Sequence, residues 1–177
     1  SWLSKRGVTR TYLVGTQGMK EMLESSGITT DSSSPEFVVL GYDTEVNYEK
    51  LATASKHLHN EVPMVASHPD IVCPSPNGGL PDTGAYMARF EATTGVKPLH
   101  VCGKPNRGMI LHKSEELGLE ASNCAMVGDR LYTDMEMANQ AGCVSVLVLS
   151  GEATRTDLSQ SGKQVSVVVD SVDALLR

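Results

Sequence analysis

Short apolar runs alternate with segments of helical periodicity along the 177 residues, and this alternation constrains the fold more than any other feature. Runs such as TYLV, FVVL and VSVLVL have the length and composition of strands. Between them, apolar residues recur at helical spacing, as Leu51, Ala54 and Leu58 do on one face of a helix predicted over residues 47–60. Strands that alternate with helices form parallel sheets. The sequence therefore predicts the α/β class.

A stretch rich in proline and glycine, SHPDIVCPSPNGGLPDTG, interrupts this pattern between residues 67 and 84. It predicts one long, turn-rich loop, and loops of this kind carry function more often than they serve as linkers. Asp82 and Thr83 near its end predict the start of the next helix.

The composition narrows the classes of partner. With a formal net charge of -6 and a pI near 5.3, the chain has no basic stripe, which argues against nucleic acid and anionic membranes. No apolar stretch approaches the length of a membrane span, and the opening residues lack the apolar core of a signal peptide. We therefore expect a cytoplasmic protein.

Cysteine and histidine spacings give little sign of a metal site. The four cysteines contain no C-x-x-C pair, and they are far apart in the chain. His57 and His59 are two residues apart on a predicted helix, so their side chains point away from each other. These patterns disfavour a zinc or histidine site.

Two aspartates follow the apolar run CAMVG. Asp129 comes directly after this run, which predicts a buried parallel strand, and open α/β sheets bind ligands at the carboxyl ends of such strands. Thr133 and Glu136 have the spacing of a capping box, which would start a helix near Asp134 and bring its carboxylate back to the strand. Two carboxylates at one strand end favour a shared cation, and oxygen ligands suit Mg²⁺. Alternatively, Asp129 is a turn residue and Asp134 only favours a helix N-terminus.

Lys104 follows another apolar run, between a glycine and a proline. A cation beside two carboxylates can neutralise a phosphoryl group and hold an anionic nucleophile. The alternative from this residue alone is a surface lysine before a proline.

Together, GKP at 103–105 and VGDRLYTD at 127–134 resemble the third and fourth motifs of the haloacid dehalogenase (HAD) superfamily of phosphohydrolases. The stretches YLVGTQGMKEMLESSGI, VVLGYDTEVNYEKL, VASHPD and VLVLSGEATRTDL resemble its subclass of NagD-like, 4-nitrophenyl and phosphoglycolate phosphatases. The resemblance implies an α/β cap domain over residues 1–99. Residues 100–177 would then form the C-terminal half of a Rossmann-like core.

The same resemblance implies roles for five residues. Lys104 would be the catalytic lysine of the third motif. Asp129 would bind Mg²⁺, and Asp134 would orient the water around the metal. His68 and Asp70 match a short loop, roughly N-x-D in the family, that binds substrate, although histidine here replaces asparagine. From the residues alone, His68 can equally serve packing, and Asp70 can equally be a turn former after proline.

The chemistry of the family requires an aspartate nucleophile in a D-x-D-G-T stretch, which forms an aspartyl-phosphate. No such stretch occurs in the sequence: Asp43 and Glu45 are not followed by Gly-Thr, and Asp170 and Asp173 are three residues apart. The Ser or Thr of the second motif is also missing. We expect these parts to lie in a segment before Ser1, and we expect the chain alone to be inactive.

The expected function is hydrolysis of small phosphomonoesters (a sugar phosphate, a nucleotide or a phosphoglycolate-like compound) by a magnesium-dependent phosphatase. Two alternatives stay open. One is a pseudo-phosphatase or regulatory module that binds phosphate ligands without turnover, and the other is a Rossmann-like binding domain in which the motif is coincidental. A missing neighbouring strand would leave the strand before Asp129 with an unpaired edge, which predicts aggregation, a homodimer or marginal stability.

Overall fold

The structure, a computed structural model, describes residues 2–176 and divides the chain into two compact units, Ser1–Gly103 and Lys104–Arg177. Each unit contains a parallel sheet and helices, which confirms the predicted α/β class. Within residues 2–176, no helix combines the length and the apolar character that crossing a bilayer requires.

The first unit is built on a four-stranded parallel sheet with the strand order β1-β2-β3-β6. A two-stranded antiparallel hairpin, β4-β5, lies in the segment before its third helix. The elements are β1 Thr11–Val14, α1 Gln17–Ser25, β2 Phe37–Leu40, α2 Tyr48–His59, β3 Met64–Ala66, β4 Val72–Cys73, β5 Leu80–Pro81, α3 Thr83–Thr94 and β6 His100–Val101.

Local side-chain contacts fix where the helices of this unit begin. The side chains of Thr16, Asn47 and Asp82 accept hydrogen bonds from backbone N–H groups at the starts of α1, α2 and α3. The predicted helix start at Asp82 is therefore confirmed. Gly95 ends α3 with φ +75°, a left-handed conformation that glycine adopts without steric cost.

The sheet of the first unit is packed on both sides. One cluster joins inward-facing strand residues to α2 and α3, and includes Val14, Leu40, Leu58, Met64 and Phe90. A second cluster packs α1 and the chain start against the sheet, and includes Leu3, Leu13, Leu23, Ile28 and Val39. Both clusters combine residues from distant parts of the chain, so they determine the arrangement of the strands.

The second unit has a three-stranded parallel sheet with the order β7-β8-β9. A π-helical turn, Leu131–Met135, connects β7 to the next helix. Its small core comprises Leu131, Met135, Leu147 and Ala153. The elements are α4 Gly108–Glu116, β7 Ala125–Gly128, α5 Glu136–Ala141, β8 Val144–Val148, α6 Arg155–Ser161 and β9 Val167–Val169.

Two expectations for the strands and loops differ from the structure. The stretch 67–84 is not one loop, because Cys73 pairs with Leu80 in the β4-β5 hairpin. The predicted burial of β7 is wrong, since its residues are exposed or half-buried, although its parallel pairing is confirmed. Among the described strands β7 pairs only with β8, so it lies at the edge of its sheet, and Val127 is 39% exposed. Association through this edge, including a homodimer, stays a prediction.

The division into units lies four residues beyond the boundary predicted at 99/100. The reason is that β6 pairs with β3 in the sheet of the first unit, with His100 opposite Val65 and Val101 opposite Ala66. The assignment of the two units to a cap and to half of a core stays a prediction.

Truncation of a buried leucine tests the core of the first unit. Leu58 is 2% exposed and belongs to its larger cluster, so Leu58→Ala should lower the free energy of unfolding by about 2–5 kcal/mol. Leu99→Ala is the matched control, because Leu99 is 66% exposed and its loss should change stability by less than about 0.5 kcal/mol. Urea unfolding followed by fluorescence of Trp2, the single tryptophan, reports on this unit. Equal effects of the two substitutions would contradict this description of the core.

Candidate functional site

Asp129 lies at the carboxyl end of β7 and forms hydrogen bonds with the segment after β8. Its Oδ2 accepts a hydrogen bond from the backbone N–H of Glu152 at 2.9 Å, and its carbonyl oxygen accepts one from the N–H of Ala153 at 3.0 Å. A side chain at Gly151 would collide with this carboxylate, so glycine is required there. The position of Asp129 therefore depends on the chain segment that follows the neighbouring strand.

Asp134 is buried and forms an ion pair with Lys104. Its Oδ1 lies 2.6 Å from Nζ of Lys104, and its Oδ2 accepts a hydrogen bond from the backbone N–H of Arg130 at 3.2 Å. The side chain of Asp134 is 3% exposed, whereas that of Lys104 is 39% exposed. The lysine therefore spans from a buried carboxylate to the surface, where its charge can meet a ligand.

Gly128 allows Asp134 to approach the end of β7. A Cβ atom at this position would lie 2.5 Å from Cβ, Cγ and Oδ2 of Asp134, a distance that real side chains do not tolerate. The structure thus places Asp134 against the residue that precedes Asp129. Three of the residues predicted for the site, Lys104, Asp129 and Asp134, therefore belong to one region of the second unit.

The predicted capping box is wrong in detail. The turn starts at Leu131 and is π-helical, so Thr133 lies inside it and Glu136 begins α5. Within residues 2–176, Oγ1 of Thr133 is buried and has no hydrogen-bond partner. Glu136 instead forms an ion pair with Lys163 and accepts a hydrogen bond from Gln140. The π-helical turn, rather than a cap, positions Asp134.

The oxygen donors of this region suit a hard divalent cation. One oxygen of Asp129 holds the backbone of Glu152, and the carboxylate retains its second oxygen for a metal. The oxygens of Asp134 are used by Lys104 and by the N–H of Arg130, so this residue is better placed to orient a hydrated ion than to bind it directly. The guanidinium of Arg130 is itself paired with Glu152 at 2.7 Å.

In the first unit, His68 lies in a chain of hydrogen bonds just after β3. Its Nδ1 is 2.8 Å from Oγ of Ser67, and its Nε2 is 2.7 Å from Oδ1 of Asp82. The carboxyl group of Asp70 is close to both, since ligand atoms of His68, Asp70 and Asp82 all lie within 4.8 Å of one another. The two predicted substrate residues are thus neighbours, and Asp82 is a third member that sequence reasoning assigned only to the helix start.

The surroundings of Asp82 are electrostatically negative. Burial, a hydrogen bond with Cys73 and the charge of Asp82 raise the pKa of Tyr42 above its usual value. Burial raises the pKa of Tyr86, and the charges of Asp43 and Asp82 add to this effect. Both phenols are therefore neutral over the physiological pH range.

The carboxylates rejected as nucleophiles have structural partners. Asp43 is 1% exposed, its Oδ2 lies 2.8 Å from Nζ of Lys50, and its Oδ1 accepts a hydrogen bond from the N–H of Glu45. Asp170 forms an exposed ion pair with Arg155. These contacts account for the two residues within their own units.

Comparisons with known proteins agree on one family. The HAD-hydrolase-like family matches residues 101–175. Over 161 residues the chain is 32% identical to dihydroxyacetone phosphatase of Corynebacterium glutamicum, covering 91% of the chain and 58% of that protein. It is 29% identical to the 5'-nucleotidase YutF of Bacillus subtilis, covering 91% and 62%. The chain therefore spans about three fifths of the length of these curated relatives.

Solved structures are similar over nearly the whole chain. A 4-nitrophenylphosphatase from Thermotoga maritima superposes with a TM-score of 0.91 at 42% identity, covering 98% of this chain and 66% of that protein. A protein described as a putative NagD protein gives a TM-score of 0.89 at 42% identity, covering 98% and 67%.

Substitution of Gly128 tests how Asp134 is placed. Gly128→Ala brings a methyl group into the Asp134 side chain, and overpacking of this kind should destabilise the second unit by roughly 1–3 kcal/mol. Gly18→Ala in α1 is the control, because no atom lies within 4 Å of a Cβ there. Native-state hydrogen exchange of the β8 amides measures the effect. Unchanged protection of these amides in Gly128→Ala would show that Asp134 does not pack against β7.

Proposed function

The chain belongs to the HAD superfamily of hydrolases, in the subclass of NagD-like and 4-nitrophenyl phosphatases. We propose that it functions in a magnesium-dependent phosphatase that hydrolyses small phosphomonoesters. The observation that carries this proposal is the 2.6 Å ion pair between Lys104 and the buried Asp134, next to the strand end that bears Asp129. A lysine held in this way offers a fixed positive charge to a phosphoryl oxygen.

Each of the three site residues in the second unit has a distinct role in this proposal. Asp129 would hold Mg²⁺ through its carboxylate, and the ion would supply positive charge beside the phosphoryl group. Asp134 holds the ammonium of Lys104 in place. Lys104 binds a phosphoryl oxygen and stabilises the negative charge that develops on it. Because Asp134 is buried and fixed by two contacts, the lysine is positioned before substrate arrives.

The nucleophile is not among the 177 residues. Hydrolysis through an aspartyl-phosphate needs a carboxylate that attacks phosphorus while the alcohol leaves, and the sequence contains no D-x-D-G-T stretch. We expect the chain on its own to be inactive. Turnover would then require an aspartate outside these 177 residues.

The substrate class is proposed from relatives and from one loop. Relatives include a dihydroxyacetone phosphatase, a 5'-nucleotidase and acid sugar phosphatases, all named for small phosphate esters. We propose that the substrate is an ester of that kind. We also propose that the protein acts in the cytoplasm and that neither nucleic acid nor a membrane is its partner. His68 and Asp70 would contact the organic part of the substrate, because both can form hydrogen bonds with hydroxyl groups.

A second candidate is a pseudo-phosphatase that binds phosphate ligands without turnover. The observation that favours it is the lack of the nucleophile motif in a chain that keeps the Lys104–Asp134 pair. This candidate and the phosphatase share the Mg²⁺ site and differ in turnover. Mg²⁺ binding therefore tests what they share, and an assay of turnover separates them.

Magnesium should stabilise the second unit through Asp129. At a free Mg²⁺ concentration 100 times the Kd, linkage predicts a gain of about 2.7 kcal/mol in the free energy of unfolding. Asp129→Asn should abolish this gain, whereas Asp173→Asn, an exposed aspartate in the same unit, should preserve it. Gly151→Ala should weaken Mg²⁺ binding with Asp129 still present, because the added methyl group displaces its carboxylate.

Thermal unfolding with and without MgCl₂ measures these effects, with NaCl at equal ionic strength as a control for general screening. If Mg²⁺ stabilises Asp129→Asn as much as the unmodified chain, the metal assignment is wrong. If Mg²⁺ has no effect on the unmodified chain, the proposed binding of Mg²⁺ by Asp129 in this chain is wrong.

Turnover separates the two candidates. We would sequence the DNA in frame before the Ser1 codon and assay the longest encoded product with 4-nitrophenyl phosphate. If that product supplies a D-x-D-G-T stretch, it should hydrolyse the ester. Lys104→Ala should then lower kcat by about 10²–10³-fold, because the positive charge that stabilises the phosphoryl oxygen is lost. Lys97→Ala is the control, since the Lys97 side chain is 73% exposed. A start codon directly before Ser1, with no turnover, would support the regulatory candidate instead.

A further inference from the structure

We propose that His68, Asp70 and Asp82 form a binding site for a divalent transition-metal ion, with Zn²⁺ as the expected ion. One imidazole nitrogen and two carboxylate oxygens from these residues lie within 4.8 Å of one another. None of the three residues is proposed to bind Mg²⁺, but the proposed function assigns His68 and Asp70 to contact with the substrate, and the metal gives them a second role. Histidine spacing along the chain disfavoured a site of this kind, because only the fold brings the three residues together.

The ligand set selects the class of metal. An imidazole suits Zn²⁺ and its neighbours in the first transition row, whereas Mg²⁺ prefers oxygen ligands alone. In a tetrahedral Zn²⁺ site with bonds of about 2.0–2.2 Å, ligand atoms are roughly 3.3–3.5 Å apart. The observed separations range from 2.7 Å, between His68 and Asp82, up to 4.8 Å. A bound ion would therefore replace the hydrogen bond between His68 and Asp82 and hold these two atoms farther apart.

Ser67 gives the imidazole a second partner on the side away from the cluster. Its Oγ lies 2.8 Å from Nδ1 of His68. When Nδ1–H donates to this hydroxyl oxygen, the lone pair of Nε2 is free for a metal, as in most histidine ligands. Without a metal, Nε2 instead forms a hydrogen bond with Oδ1 of Asp82 at 2.7 Å.

The start of α3 holds the carboxylate of Asp82 and the backbone of Asp70 in place. Oδ1 of Asp82 accepts a hydrogen bond from the backbone N–H of Thr83 at 2.6 Å, and the carbonyl oxygen of Asp70 accepts one from the N–H of Gly84 at 2.8 Å. A side chain at Gly84 would collide with the carbonyl oxygen of Pro69, so the loop packs directly against the helix. Ligands that are ordered before binding lose less entropy when the ion arrives.

The cluster carries negative charge that protein cations do not neutralise. Within residues 2–176, no lysine or arginine forms an ion pair with Asp70 or Asp82, and the side chain of Asp82 is 9% exposed. Two carboxylates beside an imidazole favour a bound cation. The raised pKa values of Tyr42 and Tyr86, due first to burial and then in part to Asp82, agree with this negative field.

Three protein ligands leave one position of a tetrahedral ion open. The His68 side chain is 28% exposed, so water or a small oxygen-bearing ligand can reach that position. The site would also join the segment after β3 to the start of α3 through the metal.

Titration of the 177-residue chain with Zn²⁺ tests the proposal. Calorimetry should show one strong site per chain, and His68→Gln and Asp70→Asn should each weaken binding at least tenfold. His59→Gln and Asp31→Asn, exposed residues of the same unit, are the matched controls and should leave the affinity unchanged. Asp129→Asn should also leave Zn²⁺ binding unchanged, so loss of the Mg²⁺ site and loss of this site are distinguishable.

Cobalt gives a second measurement that does not depend on affinity. Co²⁺ at this site should show the visible absorption of a four-coordinate ion with nitrogen and oxygen ligands, and His68→Gln should remove it. A sulfur-to-cobalt charge-transfer band would assign the ion to cysteine and overturn the proposal. Absence of Zn²⁺ binding, or equal binding by His68→Gln and Asp70→Asn, would overturn it as well.

Discussion

Parallel strand pairing is the constraint from which both candidate sites follow. In a parallel sheet the carboxyl ends of neighbouring strands lie at one edge, so residues far apart in sequence meet there. Asp129 comes after β7 and is held by the backbone that follows β8, and the register of Val127 with Val146 sets that approach. In the first unit, His68 comes two residues after β3 by the same logic. A shift of one residue in either register would turn these side chains away.

The buried carboxylate of Asp134 in the second unit is tolerated only because it has partners. An isolated carboxylate as buried as that of Asp134 would be costly, and its contacts with Lys104 and with the N–H of Arg130 offset that cost. Glycine at 128 and 151 makes the arrangement sterically possible, since any side chain there would occupy the space of a carboxylate. The ion pair thus has a structural role in the chain alone, and the exposed part of Lys104 leaves its charge available to a ligand.

The sequence predicted local features better than spatial ones. Helix starts at Asn47 and Asp82 and the helix end at Gly95 were predictable, because each depends on residues within one turn. Two-residue strands such as β4 and β5 carry too few positions for any periodic pattern, so the hairpin was missed. The apolar composition of β7 predicted a strand but could not tell an edge from a central position, which depends on what the strand pairs with.

The candidate sites show the same limit. The pairing of Lys104 with Asp134 joins residues 30 positions apart, and neither the sequence pattern nor the family resemblance predicted this contact. Asp82 was assigned to a helix start, and the hairpin that returns it to His68 has no sequence pattern of its own. Thr133 and Glu136 have the spacing of a capping box but do not form one. A π-helical turn begins at Leu131, so Thr133 lies within the turn and not at a helix start.

The two proposed metal sites differ in donor chemistry, and this difference decides which ion each one selects. Asp129 offers only oxygen, with Lys104 nearby in the second unit to limit negative charge, so it suits a weakly held, hydrated Mg²⁺ that works together with a phosphate group. His68, Asp70 and Asp82 combine nitrogen with oxygen and have no lysine or arginine as an ion-pair partner among the described residues, so they suit a softer ion held by the protein itself. Transition-metal ions exceed Mg²⁺ in affinity for imidazole, and excess Mg²⁺ should therefore leave the histidine site to Zn²⁺. Metal effects on this protein are interpretable only when each ion is assigned to its own set of ligands.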